Sequence, residues 1–277
     1  VPSVSPKVIL NFISGFVLDV IPEWAPVLAL PHEEKRAALA DPAVRERLKD
    51  GTTRMQAEFL HKLFADWRLL EINAVGSEKN QKWVDRLLGD YADAHGKDPL
   101  DAMFDLAVEE DLNFSFSPPP GGEDEESWQL RADTWRDDRA IIGASDAGAH
   151  LDMINTFAFS TQLLGNGVRE RKLIELEEAV RQITSVPAER FGIKDRGKIE
   201  PGMIADITVF RPDTIDCGPI SMRDDLPEGE SRLYADAVGV DHVIINGQLV
   251  IRSGEPTGTI PGRVLRSGRD TESVPIS

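Results

Sequence analysis

Cysteine is almost missing from this sequence: Cys217 is the only one in 277 residues. No internal disulfide can form, which fits a reducing, cytoplasmic setting. Cys217 sits in "TIDCGPI", whose glycine and proline read as a turn, so the thiol reads as structural rather than nucleophilic. Long apolar runs are missing too. The best candidate, "VILNFISGFVLDVI", falls short of the ~20 residues a membrane span needs and carries Asn11 and Asp19. No secretory leader pattern is visible, and no membrane is expected as a partner. Bases are in deficit, with 31 Lys and Arg against 48 Asp and Glu and a net charge of −17. That balance repels phosphate backbones and argues against nucleic acid as a partner.

Histidine is short in number and in pattern. The five are His32, His61, His95, His150 and His242, with no H-x-H pair and no H-E-x-x-H. A zinc site needs three or four ligands, and no convincing cluster is spelled out here. His61 falls on a helical face, His95 beside a helix end and His242 at the start of a hairpin strand, so each reads as structural. A phosphate loop of the G-x-x-x-x-G-K-[ST] type and a G-x-S-x-G elbow are also absent.

What is present is a chain long enough for a real core. At ~100–200 residues per domain, the length fits one large domain or two modest ones. "KVILNFI" reads as a buried strand. "EEKRAALADPAVRERLKDG" and "TTRMQAEFLHKLFADW" read as helices, the first split at Pro42. "RLLEINAV" is a short strand, and "NQKWVDRLLGDYADAHG" a helix stopped by Gly96. "DPLDAMFDLAVEED" is a helix with Asp98 as N-cap and Pro99 in its first turn. The strand "LNFSFS", the loop "PPPGGEDEE", the helix "SWQLRADTWRDD", the strand "RAIIGAS" and the helix "LIELEEAVRQIT" follow. From residue 99 to 186 this alternation of helix and strand argues for parallel βα units rather than a sandwich. Beyond about residue 195 the texture turns to short strands, with a hairpin in "DHVIINGQLVIRSGE" turning at Asn246-Gly247.

Chemistry concentrates in "IIGASDAGAH". Asp146 follows an apolar run and would sit at the carboxyl end of a strand, where catalytic groups of parallel α/β folds collect. Small neighbours (Gly143, Ala144, Ala147 and Gly148) leave room for a metal or substrate. The plainer reading is that Asp146 caps a turn. His150, four residues on, is either a substrate contact in the same pocket or a surface-loop histidine. The "GEDEE" run reads as a solvated loop, with a lid as the alternative.

Three stretches together resemble the carboxy-terminal part of the amidohydrolase superfamily. They are "IIGASDAGAH", "LEEAVRQITSVPAERFGIKDRGKIEPGMIADITVF" and "VDHVIINGQLVIRSGE". With "PGRVLRSGRDT", the wording is most similar to the N-acyl-D-amino-acid deacylases, or D-aminoacylases. The resemblance implies an α/β fold made of the last strands, about six to eight, of a (β/α)8 TIM-type metal-dependent hydrolase barrel. Residues 1–195 would form this partial barrel. Residues 196–277 would form a small β-rich module, part of a composite β-sandwich.

It also implies one or two metal ions, usually zinc, and hydrolysis of an N-acyl amino acid or related amide by metal-activated water. Asp146 then carries the role of metal ligand and proton shuttle, and His150 is a candidate substrate contact. The loop "AHLDMINTF" departs from the better-known deacylases. The family's H-x-H pair on the first strand has no counterpart here. The expectation is therefore a fragment, a cleaved product or one subunit of a split enzyme, associating with a missing amino-terminal half or with itself. By itself such a chain would be inactive. A cyclic amidase, a deaminase or a non-catalytic remnant remain the alternatives.

Overall fold

The computed structural model describes residues 2–3, 7–55, 64, 66–119, 121–143 and 150–274. They form a mixed α/β structure of two compact units, one spanning residues 7–121 and the other residues 122–274 with Pro2 and Ser3.

In the first unit, α1 (His32–Ala40) and α2 (Pro42–Thr53) meet at Pro42. Proline lacks the N–H that a helix interior would need, so the chain restarts there. Asp41 caps the restart, its carboxylate accepting from Ala43 N at 2.8 Å. The helix α3 (Leu88–His95) ends at Gly96, whose φ of 62° is left-handed. Next, α4 (Pro99–Glu109) starts as its sequence dictates, with Asp98 accepting from Leu100 N at 3.0 Å and proline in the first turn. Most of "TTRMQAEFLHKLFADW", with His61, lies outside the described residues.

Three strands, β1 (Leu10–Asn11), β2 (Glu71–Val75) and β3 (Phe114–Ser117), form a sheet in the order β1-β3-β2. Both pairings are antiparallel, which departs from the parallel neighbours that the partial-barrel resemblance implies for these strands. An apolar run carries no direction, and alternation implies a parallel pair only for a simple crossover. Here the chain first doubles back on β2, with Ile72 N donating to Arg86 O at 2.9 Å, and then passes through two helices before β3. The buried face of the sheet carries Leu10, Ile72 and Phe116 in register, packed under Phe12, Trp24 and Phe104. Trp24 keeps its indole N–H satisfied on Leu48 O at 3.0 Å.

The second unit opens with α5 (Glu125–Trp135), capped by Asp124 on Ser127 N at 2.9 Å. Trp128 and Trp135 enter a core with Ile142, Leu163, Leu164, Ile174, Ala179 and Ile215. A short helix at Phe159–Gln162 widens into a π-helix over Leu163–Glu170, a rare form that the sequence did not announce. Gly165 lets it close on the following strands: a Cβ there would stand 2.9 Å from the Asp216 carboxylate. The helices α6 (Leu176–Ile183) and α7 (Ser185–Arg190) complete the helical part.

Downstream the chain is β-rich. An antiparallel sheet in the order β11-β10-β9-β4 joins β4 (Ile207–Phe210), β9 (Val240–Ile245), β10 (Gln248–Arg252) and β11 (Glu255–Pro256). The hairpin turns at Asn246-Gly247 with φ values of 51° and 75°, both in the left-handed region a tight hairpin turn needs. Two smaller pairs are β5 (Asp216–Cys217) with β8 (Ala237–Val238), and β6 (Ser221–Arg223) with β7 (Arg232–Tyr234).

One expectation of a strand needs correction, and one feature bears on the partial barrel. Ile141–Gly143 form no strand, although Ile142 is buried; an apolar run marks burial and not pairing. No closed barrel is formed among the described residues, whose strand pairings are all antiparallel.

Candidate active site

Asp146 lies in residues 144–149, outside the described residues. The chain on either side of it is described, and each flank is held. Upstream, α5 ends in a turn in which Ala140 N donates to Asp137 O at 2.8 Å. Arg139 clamps the Asp137 carboxylate with Nη2–Oδ2 at 2.6 Å and holds that carboxyl far below the usual range. Two residues on, Ile142 drops into the core against the Trp128, Leu163 and Ile174 cluster. Downstream, His150 is exposed and takes a left-handed φ of 47°. Its carbonyl accepts from Met153 N at 2.9 Å and Ile154 N at 3.0 Å, which turns the chain inward. Leu233 N of β7 donates to Leu151 O at 2.8 Å, tying this turn to the β6–β7 hairpin. Met153, Asn155 and Thr156 are then buried.

Asn155 and Thr156 are polar residues sunk just past His150, and the sequence reading passed over them. Their signal was present in "MINTFAF", where Asn and Thr interrupt an otherwise apolar stretch. A second set missed from sequence lies on the three-stranded sheet of the first unit. Lys7 Nζ donates to Glu71 Oε1 at 2.7 Å, and Asn73 Nδ2 reaches the same oxygen at 3.1 Å. Among the described residues, Asn73 Oδ1 and the fully buried Ser117 Oγ meet no hydrogen-bond partner.

The other histidines are structural or solvent-facing where described. His95 bonds Tyr91 O at 2.7 Å in the last turn of α3 and packs its ring on Tyr91. His242 Nδ1 accepts from Ser253 N at 3.2 Å across the hairpin. His32 stands 3.1 Å from Asp111, and together with Glu33 they could hold a cation. That cluster is exposed, and Arg36 already occupies it, 3.1 Å from Glu33 and 3.3 Å from Asp111. Guanidinium in the middle of the donors disfavours a divalent ion. The described residues therefore do not fit a zinc centre. Cys217 is half-buried; burial pushes its thiol up despite a contact from Gln162 Nε2 at 3.1 Å.

A family model described as the Amidohydrolase family matches residues 65–251, a span that includes Asp146 and His150. The chain belongs to the Amidohydrolase family. Among curated relatives, this amidohydrolase is 36% identical over 131 residues to an N-acyl-D-glutamate deacylase of Alcaligenes xylosoxydans, covering 47% of this chain and 24% of that protein. It is 35% identical over 104 residues to a D-aminoacylase of the same organism, covering 38% of this chain and 20% of that protein. A dihydroorotase of Lactobacillus acidophilus is 45% identical over 53 residues, 19% of this chain and 12% of its own. The chain thus spans about a quarter or less of the curated relatives it matches. Among solved structures, an N-acyl-D-glutamate deacylase of Bordetella bronchiseptica, complexed with zinc and a phosphonate inhibitor, overlays with a TM-score of 0.40 at 26% identity. That overlay covers 68% of this chain and 36% of the other. A D-aminoacylase overlays with a TM-score of 0.41, also at 26% identity, over 69% of this chain and 36% of the other.

Proposed function

We propose that this amidohydrolase contributes the aspartate-bearing, carboxy-terminal part of an enzyme that cleaves the amide bond of N-acyl-D-amino acids. The observation that carries this reading is the run of family-matched residues around Asp146, whose relatives are named as deacylases of N-acyl-D-glutamate and N-acyl-D-aspartate and as D-aminoacylase. Zinc, when bound, lowers the pKa of a water and polarises the carbonyl it attacks. Asp146 would serve as one of its ligands, the remaining donors coming from outside this chain. The Asp146 carboxylate would take up the proton of the attacking water and return it to the leaving amine. His150 stands four residues beyond it in sequence as the candidate contact to substrate. The turn anchored on Leu151 by Leu233 holds that histidine's backbone in place.

The test is hydrolysis of a panel by this chain alone and by the chain joined to the amino-terminal portion its relatives possess. The panel holds N-acetyl-D-glutamate, N-acetyl-D-aspartate, neutral N-acetyl-D-amino acids, their L-enantiomers and dihydroorotate. The expected result is D-selective deacylation by the joined protein and none by the chain alone. The dihydroorotase similarity favours a second reading, cyclic-amide hydrolysis, which turnover of dihydroorotate alone would establish. A metal-loaded joined protein that cleaves nothing in the panel would leave the non-catalytic reading.

A further inference from the structure

One antiparallel ribbon braces the chain that follows His150. Its base is the β5–β8 pair, Asp216 opposite Val238 and Cys217 opposite Ala237, continued by Gly218 N donating to Asp236 O at 2.7 Å. Its outer part is the β6–β7 pair, with Ser221 opposite Tyr234, Met222 opposite Leu233 and Arg223 opposite Arg232. Like charges directly opposite repel. Here each arginine is neutralised on the ribbon itself, Arg223 by Asp236 at 2.8 Å and Arg232 by Asp225 at 2.6 Å, and both guanidiniums lie over the Tyr234 ring. A two-stranded ribbon is still marginal in water without further packing. At both ends of this one, support comes from the same segment of chain. At the base, Arg169 Nη2 of the π-helix reaches Asp216 Oδ2 at 2.8 Å, and Gln162 Nε2 reaches Cys217 Sγ at 3.1 Å. In the outer part, Leu233 N donates to Leu151 O at 2.8 Å. Antiparallel positions alternate between bonded and non-bonded pairs, so this N–H, turned away from β6, is one that the hairpin itself does not use.

We infer that this ribbon is a splint for the turn at His150, and that Leu233, through its backbone N–H, is a positioning residue for substrate binding. The backbone at His150 needs holding. Its left-handed φ of 47° costs energy in any residue but glycine and persists only where the surroundings fix it. The His150 carbonyl is taken within the turn by Met153 N and Ile154 N, and the next carbonyl, that of Leu151, is taken by the ribbon. Two successive carbonyls are thus fixed, and with them the backbone from which the imidazole projects. Leu233 is 6% exposed, which shelters the bond from competing water. This role rests on the reading of His150 as the contact to substrate and extends it: recognition of the substrate depends on the β-rich module through one backbone hydrogen bond, from a residue that touches no substrate.

The test is hydrogen exchange on the full chain, followed by kinetics on the joined, zinc-loaded protein. In the parent chain the Leu233 amide should exchange as slowly as those of Arg232 and Tyr234. Leu233→Pro removes the donor without removing a β6–β7 bond, and should speed exchange of the Met153 and Ile154 amides about fivefold or more. Leu233→Ala keeps the donor while losing the buried side chain, and should leave those amides near the parent rate. Tyr234→Ala takes away the ring under both arginines; it should act in the same direction as Leu233→Pro and serves where the proline variant does not fold. A Leu233 amide that exchanges at the open-chain rate in the folded parent overturns the splint. So do Met153 and Ile154 amides indifferent to Leu233→Pro, or freed as fully by Leu233→Ala. On the joined protein, Leu233→Pro should raise KM for N-acetyl-D-glutamate about tenfold with kcat changed less than about twofold, as lost uniform binding does. His150→Ala should do the same, and the double variant should do no more than either alone. An unchanged KM, a loss confined to kcat, or additive effects would overturn the coupling to His150. A joined parent that cleaves nothing removes the catalytic reading, and the exchange results then decide the splint by themselves.

Discussion

The chain approaches Asp146 through Ile142, so the strength of that anchor bears on both fold and site. Ile142 is 4% exposed and touches a core that includes both Trp128 and Trp135. Ile142→Ala deletes three buried carbons, about 2.4 kcal/mol at ~0.8 kcal/mol each. Partial collapse of the cavity adds to this, and buried isoleucine truncations cost roughly 2–5 kcal/mol in all. A loss of about 3 kcal/mol lowers the melting temperature by about 6–12 °C in a unit of this size. Urea and thermal melts followed by tryptophan fluorescence would read it, since two of the reporting indoles line the same cluster. Ile260→Ala is the control: Ile260 is 93% exposed, and its truncation should stay within about 0.5 kcal/mol. If Ile142→Ala melts with Ile260→Ala and the parent chain, Ile142 is not an anchor and the account of the upstream flank fails.

Other outcomes follow from local chemistry. Burial would raise the Glu110 carboxyl, but donors from Ser77 and Asn80 outweigh it and hold the group below its ordinary 4.5. Its stabilisation is therefore complete above pH ~4.5 and lost as pH falls through the lower folded value. Glu110→Gln should cost about 2 kcal/mol at pH 7, a difference that shrinks in acid melts; a constant difference from pH 7 to pH 3 would contradict this. Gly247 at φ 75° should resist a side chain, with Gly247→Ala costing about 1–2 kcal/mol in a thermal melt, and an unchanged melt refutes the turn assignment. Because burial raises the Cys217 thiol, a thiol reagent at neutral pH should modify it slowly until urea is added. Rapid modification of the folded chain would show an accessible thiolate.

The helix ends were legible because their signals are local. Asp98-Pro99, Pro42 and Gly96 act through a missing N–H, a cap or a left-handed φ, all written within a few residues. The Asn246-Gly247 hairpin was legible for the same reason. Strand direction was not, because pairing depends on distant segments: nothing in "LNFSFS" says that Phe116 meets both Leu10 and Ile72 antiparallel. The run "AIIGAS" shows the same limit, since Ile142 is buried without a strand neighbour. The π-helix over Leu163–Glu170 also escaped, its close approach to Asp216 being a tertiary fact. At the candidate site, family wording drew attention to Asp146 and His150. Asn155, Thr156, Asn73 and Ser117 stand out only once burial and orphaned atoms are known.

The central proposal is that Asp146 moves the proton in amide hydrolysis. Its most direct test is the turnover of N-acetyl-D-glutamate by the joined, zinc-loaded protein carrying Asp146→Ala, with metal content and melting temperature measured on the same sample. The account predicts a loss of kcat of roughly 10²–10⁴-fold with the fold retained. A folded Asp146→Ala protein that turns over at the parent rate would contradict it.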